Sequence, residues 1–165
     1  MPTPLIEDSI EIDATPEAVW TIVSDLRRMH EWSPQVRKVF VRGPVRVGTI
    51  AVSINHPGWR ALPPGVGKVV MWCLAVWPTR SKVVQLEVDK KIAFKVLDNN
   101  TVWSYQLEQS GTRVRLTERR VAENVTAASK FLVDKMLGGN DGFEQDLRRG
   151  IRQTLERIKT VAERS

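Results

Sequence analysis

The chain has 165 residues, a net charge of +6 and 42% hydrophobic residues, a composition typical of a folded, water-soluble domain. A single cysteine, Cys73, excludes an internal disulfide and any cysteine-rich metal site. The longest apolar run, Val69–Trp77, has nine residues, whereas a membrane-spanning helix needs about 20. The first residues do not have the character of a secretory signal, so we expect one cytoplasmic domain over 1–165.

The charge is distributed unevenly along the chain. Residues 1–31 carry a net charge of −5, residues 32–86 carry +8 without an acidic residue, and residues 87–165 carry +3. The basic residues stand singly or in pairs over many segments, whereas nucleic-acid-binding proteins concentrate them on one element with aromatic residues between them. We therefore predict no nucleic-acid partner. We also predict no metal and no cofactor, because the paired-histidine, paired-cysteine and glycine-rich phosphate motifs are absent.

The N-terminal part of the chain predicts a strand followed by two short helices. Residues 5–12 mix apolar and acidic residues, as expected for a short strand with an outward charged face. Thr15 and Pro16 then indicate a helix start, with Thr15 as the N-cap and Pro16 in the first turn. A second short helix over 28–32 should end before Ser33-Pro34, because the residue that precedes a proline avoids the helical region.

A period of two then replaces the helical period. The short breakers between the alternating segments are typical of hairpins, so consecutive strands should be antiparallel neighbours. With the first strand they form a meander of about seven. The predicted strands cover residues 35–42, 47–55, 80–88, 91–97, 101–109 and 112–121.

The helical period returns after Asn124. A short amphipathic helix is predicted over 126–137 and a long one over about 141–163. At 1.5 Å per residue the long helix reaches about 35 Å, whereas a strand of eight residues reaches about 27 Å. One helix can therefore cross the whole concave face of a curled sheet, and it cannot fill the hollow, so an internal cavity is expected. The apolar face of this helix comprises Phe143, Leu147, Ile151, Leu155, Ile158 and Ala162.

The order and spacing of four segments resemble the START-like (SRPBCC) superfamily, in its bacterial polyketide cyclase/dehydrase and lipid-transport branch. The segments are IDATPEAVWTIVSDLRRMHEWSPQV, WPTRSKVVQLEVDKKIAFKV, TVWSYQLEQSGTRVRLTERR and FEQDLRRGIRQTLERIK. The resemblance implies an α+β helix-grip fold, in which a seven-stranded antiparallel curled sheet wraps around a long C-terminal helix and two short helices follow the first strand. It also implies a hydrophobic-ligand pocket beneath that helix.

Alternation along the strands identifies candidate pocket residues. Trp103 and Tyr105 share one face of their strand, and Glu118 shares a face with Leu116, which would bring a carboxylate inward. We expect a closed, largely apolar cavity, although for any single apolar member of the set an ordinary core position is the more common case. The candidate ligand-binding residues are Trp20, Trp32, Phe94, Trp103, Tyr105, Leu116, Glu118, Phe143, Leu147 and Ile151.

Two functions of the cavity remain open at this point, beside a third in which the hydrophobic segment 60–77 makes the chain a protein-interaction module. The first is binding of a small hydrophobic molecule, such as a lipid or polyketide, for transport, sensing or sequestration. The alternative is a cyclase/dehydratase-type enzyme, which needs groups that titrate near the working pH. Its candidate catalytic residues are Glu118, His30 and His56, with Tyr105 and Arg80 as oxyanion partners. The competing interpretation of the same residues is two surface histidines and a structural ion pair between Glu118 and Arg80.

Residues 60–77 stand as an insertion between INHPGW and WPTRSK, two segments that otherwise read continuously. Its apolar part lacks alternation and is therefore not a half-exposed strand. A buried strand, a flap over the pocket and an ordinary loop remain open, as do a homodimer surface and a peripheral contact with an anionic membrane. We expect an element that projects from the central sheet.

Overall fold

The computed structural model describes residues 5–56, 76–123, 125–127, 130–131 and 139–164. Its elements follow the predicted order. The strands are β1 (Leu5–Ile12), β2 (Val36–Val41), β3 (Ile50–Asn55), β4 (Trp77–Glu87), β5 (Lys91–Val96), β6 (Val102–Ser110) and β7 (Arg113–Val121). The helices are α1 (Pro16–Ser24), a 3-10 turn (Leu26–Arg28), α2 (Met29–Trp32) and α3 (Gly139–Ala162).

The seven strands form one antiparallel sheet in the order β1-β7-β6-β5-β4-β3-β2. Each strand from β2 to β6 pairs with the next in sequence, as the hairpin signals predict. Two of the turns need a left-handed backbone, at Asp89 with φ of 58° and Asn100 with φ of 60°. Asp and Asn adopt this conformation more readily than other non-glycine residues. β1 extends the sheet beside β7, with Leu5 opposite Val121.

The short helices form where the sequence predicts them. The Thr15 hydroxyl accepts a hydrogen bond of 3.2 Å from the backbone N–H of Ala18, which caps α1. The buried face of α1 joins the core that α3 covers. These observations confirm the predicted α+β helix-grip arrangement.

The long helix α3 is fastened to β1 near its C-terminal end. Lys159 Nζ donates a 2.6 Å hydrogen bond to the carbonyl oxygen of Glu11, and a Glu163 carboxylate oxygen accepts one of 2.8 Å from the N–H of Asp13. Leu155 and Ile158 are fully buried there. The C-terminal half of α3 therefore closes the core, and the space beneath the sheet lies at its N-terminal half.

One boundary differs from the prediction. β4 begins at Trp77, three residues earlier than expected, because β3 continues to pair with it as far as Asn55 opposite Trp77. Trp77 therefore belongs to the sheet, and its assignment to the inserted segment is corrected. The rest of that segment up to residue 75, with its proposed homodimer and membrane contacts, lies outside the described residues, as does most of the helix predicted over 126–137. Within the described part of the chain, every helix is too short or too polar to cross a bilayer.

Candidate functional site

A cavity of about 290 Å³ lies between the concave face of the sheet and the N-terminal half of α3. Strands β3 to β7 form one wall, and residues of α2, the α2–β2 connection and α3 form the other. A smaller space of about 40 Å³ adjoins it and shares Trp103, Glu118 and Leu147. The aromatic residues that line the main cavity are Phe94, Trp103, Tyr105, Phe143 and Trp77.

A second, wider groove of about 710 Å³ lies by the β4–β5 turn and the start of α1. Its lining is mostly polar and charged, with side chains such as Glu87, Lys90 and Gln109 that are exposed to solvent. Such a groove is typical of a solvated surface, whereas ligand sites are usually concave and largely apolar. The cavity beneath α3 is therefore the candidate site.

A buried hydrogen bond joins two strands at the centre of the cavity wall. The register places Tyr105 on β6 directly opposite Glu118 on β7, so both side chains leave the same face of the sheet. The tyrosine hydroxyl donates a 2.8 Å hydrogen bond to Glu118 Oε1, and both residues are 3% exposed. Glu118 Oε2 is equally buried and has no hydrogen-bond partner in the described structure.

Burial decides the protonation state of this carboxyl group. Removal from water disfavours the charged form and raises the pKa of Glu118 to about 8, which outweighs the opposite effect of the Tyr105 hydrogen bond. The negative charge of Asp8 adds to the increase. Burial also raises the pKa of Tyr105 well above its usual value. At neutral pH the pair is therefore a neutral acid beside a neutral phenol, and Glu118 can offer a proton through Oε2.

Two aromatic rings hold Tyr105 in position. The ring of Trp32 meets it edge to face, with ring centres 5.3 Å apart, and the ring of Phe94 lies 6.4 Å away on the cavity side. Trp32 itself is fully buried and does not line the cavity. It supports the tyrosine from behind, and its indole Nε1 has no hydrogen-bond partner among the described residues.

A second ionisable residue reaches the cavity from β7. Arg120 follows Glu118 by two positions and therefore lies on the same face of the strand. Its guanidinium carbon Cζ is 5.9 Å from the centre of the Trp103 ring and 5.7 Å from that of Phe143, distances at which a cation is attracted to an aromatic face. Burial lowers the pKa of Arg120 to about 10, so the side chain is still charged at neutral pH.

The wall formed by β3 and β4 is mostly polar, whereas the described lining as a whole is largely apolar, as expected. Alternation in β3 offers apolar Ile50 and Ile54 on one face and Ser53 and Asn55 on the other. The structure buries the polar face toward the cavity and leaves Ile50 46% exposed. Asn55 Nδ2 donates a 2.9 Å hydrogen bond to Thr79 Oγ1, which satisfies both groups across the two strands. The cavity thus has an aromatic side and a polar side.

The predicted ligand-binding residues fall into two groups. The structure brings six of them together at the cavity, and it places the other four in or against the surrounding core. Trp32, Leu116 and Ile151 are buried core residues, of which Ile151 also lines the smaller adjoining space, and Trp20 is half-buried against that core. The residues at the cavity are Phe94, Trp103, Tyr105, Glu118, Phe143 and Leu147.

The predicted catalytic candidates do not converge as a set. His30 is exposed, with Nδ1 2.9 Å from the carbonyl oxygen of Arg27. His56 is partly buried outside the cavity lining, and burial together with the charge of Arg37 lowers its pKa. Arg80 is exposed and pairs with Asp98 at 3.1 Å, so neither its proposed role beside Tyr105 nor an ion pair with Glu118 is realised. Only Glu118 and Tyr105 meet.

Sequence reasoning missed Arg120 and the polar wall. The alternation that places Leu116 and Glu118 inward also places Arg120 inward one step later, so extending the pattern to the end of the strand would have found it. The described residues contain no cluster of three or more histidine, cysteine or acidic side chains placed to hold a metal ion.

These features define a class: a helix-grip protein with a partly polar cavity between its sheet and its long helix. The chain belongs to the polyketide cyclase / dehydrase and lipid transport family, whose model matches residues 3–163. No curated protein matches the sequence significantly.

Solved structures support this assignment. The Polyketide_cyc-like protein Cgl2372 from Corynebacterium glutamicum is 30% identical, with a TM-score of 0.61 over 99% of this chain and 94% of that one. Two further solved structures, at lower sequence identity, are similar to this chain in fold alone. The di-domain ARO/CYC StfQ from the steffimycin biosynthetic pathway is 16% identical with a TM-score of 0.68. The match spans 98% of this chain but only about half, 51%, of that protein. Protein NE0264 from Nitrosomonas europaea is 12% identical with a TM-score of 0.66, over 97% of this chain and 94% of that one.

Proposed function

We propose that the protein binds a small, largely hydrophobic molecule in the cavity beneath α3 and thereby carries, senses or sequesters it. The observation that carries the proposal is the composition of the cavity wall. Aromatic rings of Phe94, Trp103 and Phe143 stand beside a buried carboxyl oxygen of Glu118 that lacks a hydrogen-bond partner in the described structure. Ligand sites typically combine an apolar wall with a few placed polar groups.

The size of the cavity limits the ligand. A volume of about 290 Å³ is at the lower end of the range of roughly 300–1,000 Å³ typical of small-molecule sites. A compact molecule of a few fused rings fits that space better than a long-chain lipid. The family description, which joins polyketide cyclases with lipid transport, is compatible with such a ligand.

The test is a titration with the neutral fluorescent dye N-phenyl-1-naphthylamine. We expect micromolar affinity and quenching of tryptophan fluorescence in the native protein. Leu147→Phe enlarges a side chain that lines the cavity and should weaken binding at least tenfold, whereas Leu97→Phe makes the same change at an exposed position and should not. Equal binding by all three proteins would contradict the proposal.

Native mass spectrometry of protein purified from its own host would identify the natural ligand. A small molecule of constant mass that is lost in Leu147→Phe and retained in Leu97→Phe would be that ligand.

A second candidate function is acid–base catalysis of the cyclase/dehydratase type in the same cavity. The observation that favours it is the pKa of Glu118, which burial raises to about 8, near the pH at which proton transfer to and from a substrate is efficient. If the protein is such an enzyme, Glu118→Gln should abolish turnover and leave ligand affinity within about tenfold, roughly 1.4 kcal/mol. His30→Ala, at an exposed position away from the cavity, should leave both unchanged.

A further inference from the structure

The cavity has an unbalanced charge. Of the described residues that line it, Glu118 and Arg120 are the ones with acidic or basic side chains. Glu118 is neutral at neutral pH, because its pKa lies at about 8, and Arg120 is charged, because its pKa lies at about 10. Burial is the cause of the Arg120 shift, and no carboxylate of the described chain opposes it. The lining formed by the described residues therefore carries a positive charge that no acidic side chain among them balances.

The way in which Arg120 is held leaves its donors available. Trp103 and Phe143 approach the guanidinium group at 5.9 and 5.7 Å from their ring centres. An aromatic ring attracts the cation without accepting a conventional hydrogen bond, and the guanidinium presents its N–H donors as a rigid planar fork. Carboxylate oxygens match that fork and can accept two parallel hydrogen bonds.

Glu118 supplies a second donor on the same wall. It precedes Arg120 by two positions on β7, so the two side chains leave the same face roughly 7 Å apart along the strand. Its Oε1 accepts the Tyr105 hydrogen bond, which leaves the buried Oε2 to carry the proton. The Arg120 guanidinium and the protonated Glu118 carboxyl group therefore both present hydrogen-bond donors to the cavity. Both favour an electron-rich oxygen of the ligand as the acceptor.

We propose that the ligand is a compact hydrophobic carboxylic acid, bound as its carboxylate to the Arg120 guanidinium and with a neighbouring oxygen accepting from Glu118. This inference rests on the proposed function and specifies its ligand class. The ring system of the acid lies against Phe94 and Trp103, and the acid group supplies the counterion that the described lining lacks. A neutral hydrocarbon of the same shape leaves Arg120 buried without an anionic partner, so it binds more weakly.

The test compares three probes of one shape, 2-naphthoate, 2-naphthamide and 2-naphthalenemethanol, by calorimetry at neutral pH. We expect the carboxylate to bind about tenfold to a hundredfold more tightly than the amide or the alcohol, the range for a hydrogen-bonded charged group. Arg120→Met keeps an apolar stem between the two rings and should remove this preference without weakening the amide. Arg119→Met, on the exposed face of the same strand, is the matched control and should retain the preference.

The outcomes separate the two proposals. Equal affinity for the three probes, or a preference that survives in Arg120→Met, overturns the carboxylate assignment and leaves cavity binding intact. Failure of all three probes in protein that binds N-phenyl-1-naphthylamine also overturns it, and failure of the dye as well overturns both proposals. If Arg120→Met does not fold, Arg120→Lys takes its place, because it keeps the charge and loses the planar set of N–H donors. The affinities of the three probes for the native protein and for Arg120→Lys then decide whether the carboxylate assignment holds.

Discussion

Tyr105 and Glu118 stand directly opposite each other on β6 and β7, and the tyrosine hydroxyl donates a 2.8 Å hydrogen bond to the glutamate. Both side chains are almost completely buried at the wall of the cavity. A buried carboxyl group is tolerated when it is neutral and hydrogen-bonded. The protonation state of Glu118 therefore affects both the stability of the fold and the chemistry of the site. Its effect on stability can be measured as a change in the free energy of unfolding.

The first prediction concerns the dependence of stability on pH. Glu118 keeps its proton in the folded state up to about pH 8, whereas in the unfolded chain it loses the proton near 4.5. The unfolded state thus binds fewer protons over this interval, and the free energy of unfolding should fall by a few kcal/mol as the pH rises through it.

Glu118→Gln removes this titration. Urea unfolding at several pH values should show the native protein losing stability toward pH 8 relative to Glu118→Gln, with the two nearly equal under acidic conditions. Glu108→Gln, at an exposed position on β6, should follow the native protein. If the free energy of unfolding depends on pH in the same way in the native protein and in Glu118→Gln, Glu118 is ionised in the folded state.

The second prediction concerns the hydrogen bond itself. Tyr105→Phe keeps the ring that packs against Trp32 and Phe94 but leaves the carboxyl group of Glu118 without its donor. We expect a loss of about 1–3 kcal/mol in the free energy of unfolding, the cost of leaving a buried polar group unsatisfied. A double-mutant cycle with Glu118→Leu, which removes the acceptor, isolates the pair. A coupling energy near zero would show that the two groups are independent.

The third prediction uses Trp103 and Trp20, which are both half-buried, as reporters. Trp103 lines the cavity, whereas Trp20 on α1 packs against the core and does not. Trp103→Phe should reduce the ligand-induced quenching of tryptophan fluorescence, with Trp77 at the cavity retaining part of it, and Trp20→Phe should leave it in place. Quenching that is lost in Trp20→Phe instead would place the ligand elsewhere.

The fold follows from periodicity and turn chemistry, which are local properties. β1 was predicted with its observed bounds, and the apolar spacing from Leu147 to Ala162 gave the buried face of α3. Turn residues such as Asp89 and Asn100 identified the hairpins because few residue types adopt a left-handed backbone there. The start of β4 was missed because Trp77 pairs with Asn55, and such pairing depends on a partner strand.

The sequence predicted the residues of the site only where the alternation within a single strand showed which side chains face inward. Period two placed Tyr105 and Glu118 on inward faces, but it did not reveal that β3 turns its polar face to the cavity, since apolar Ile50 and Ile54 favour the opposite orientation. Arg120 was missed for a related reason. A cation is rarely buried, and the rings that hold it come from β6 and α3, distant in sequence.

The most direct test of cavity binding is a nuclear magnetic resonance titration with N-phenyl-1-naphthylamine, with assigned aromatic and indole signals. The account predicts that the largest shifts fall on Phe94, Trp103 and Phe143, which surround the cavity, and that Phe40, 51% exposed on β2, is unaffected. Shifts that concentrate on Phe40 while the three cavity residues stay unchanged would place the dye on the protein surface and contradict the account.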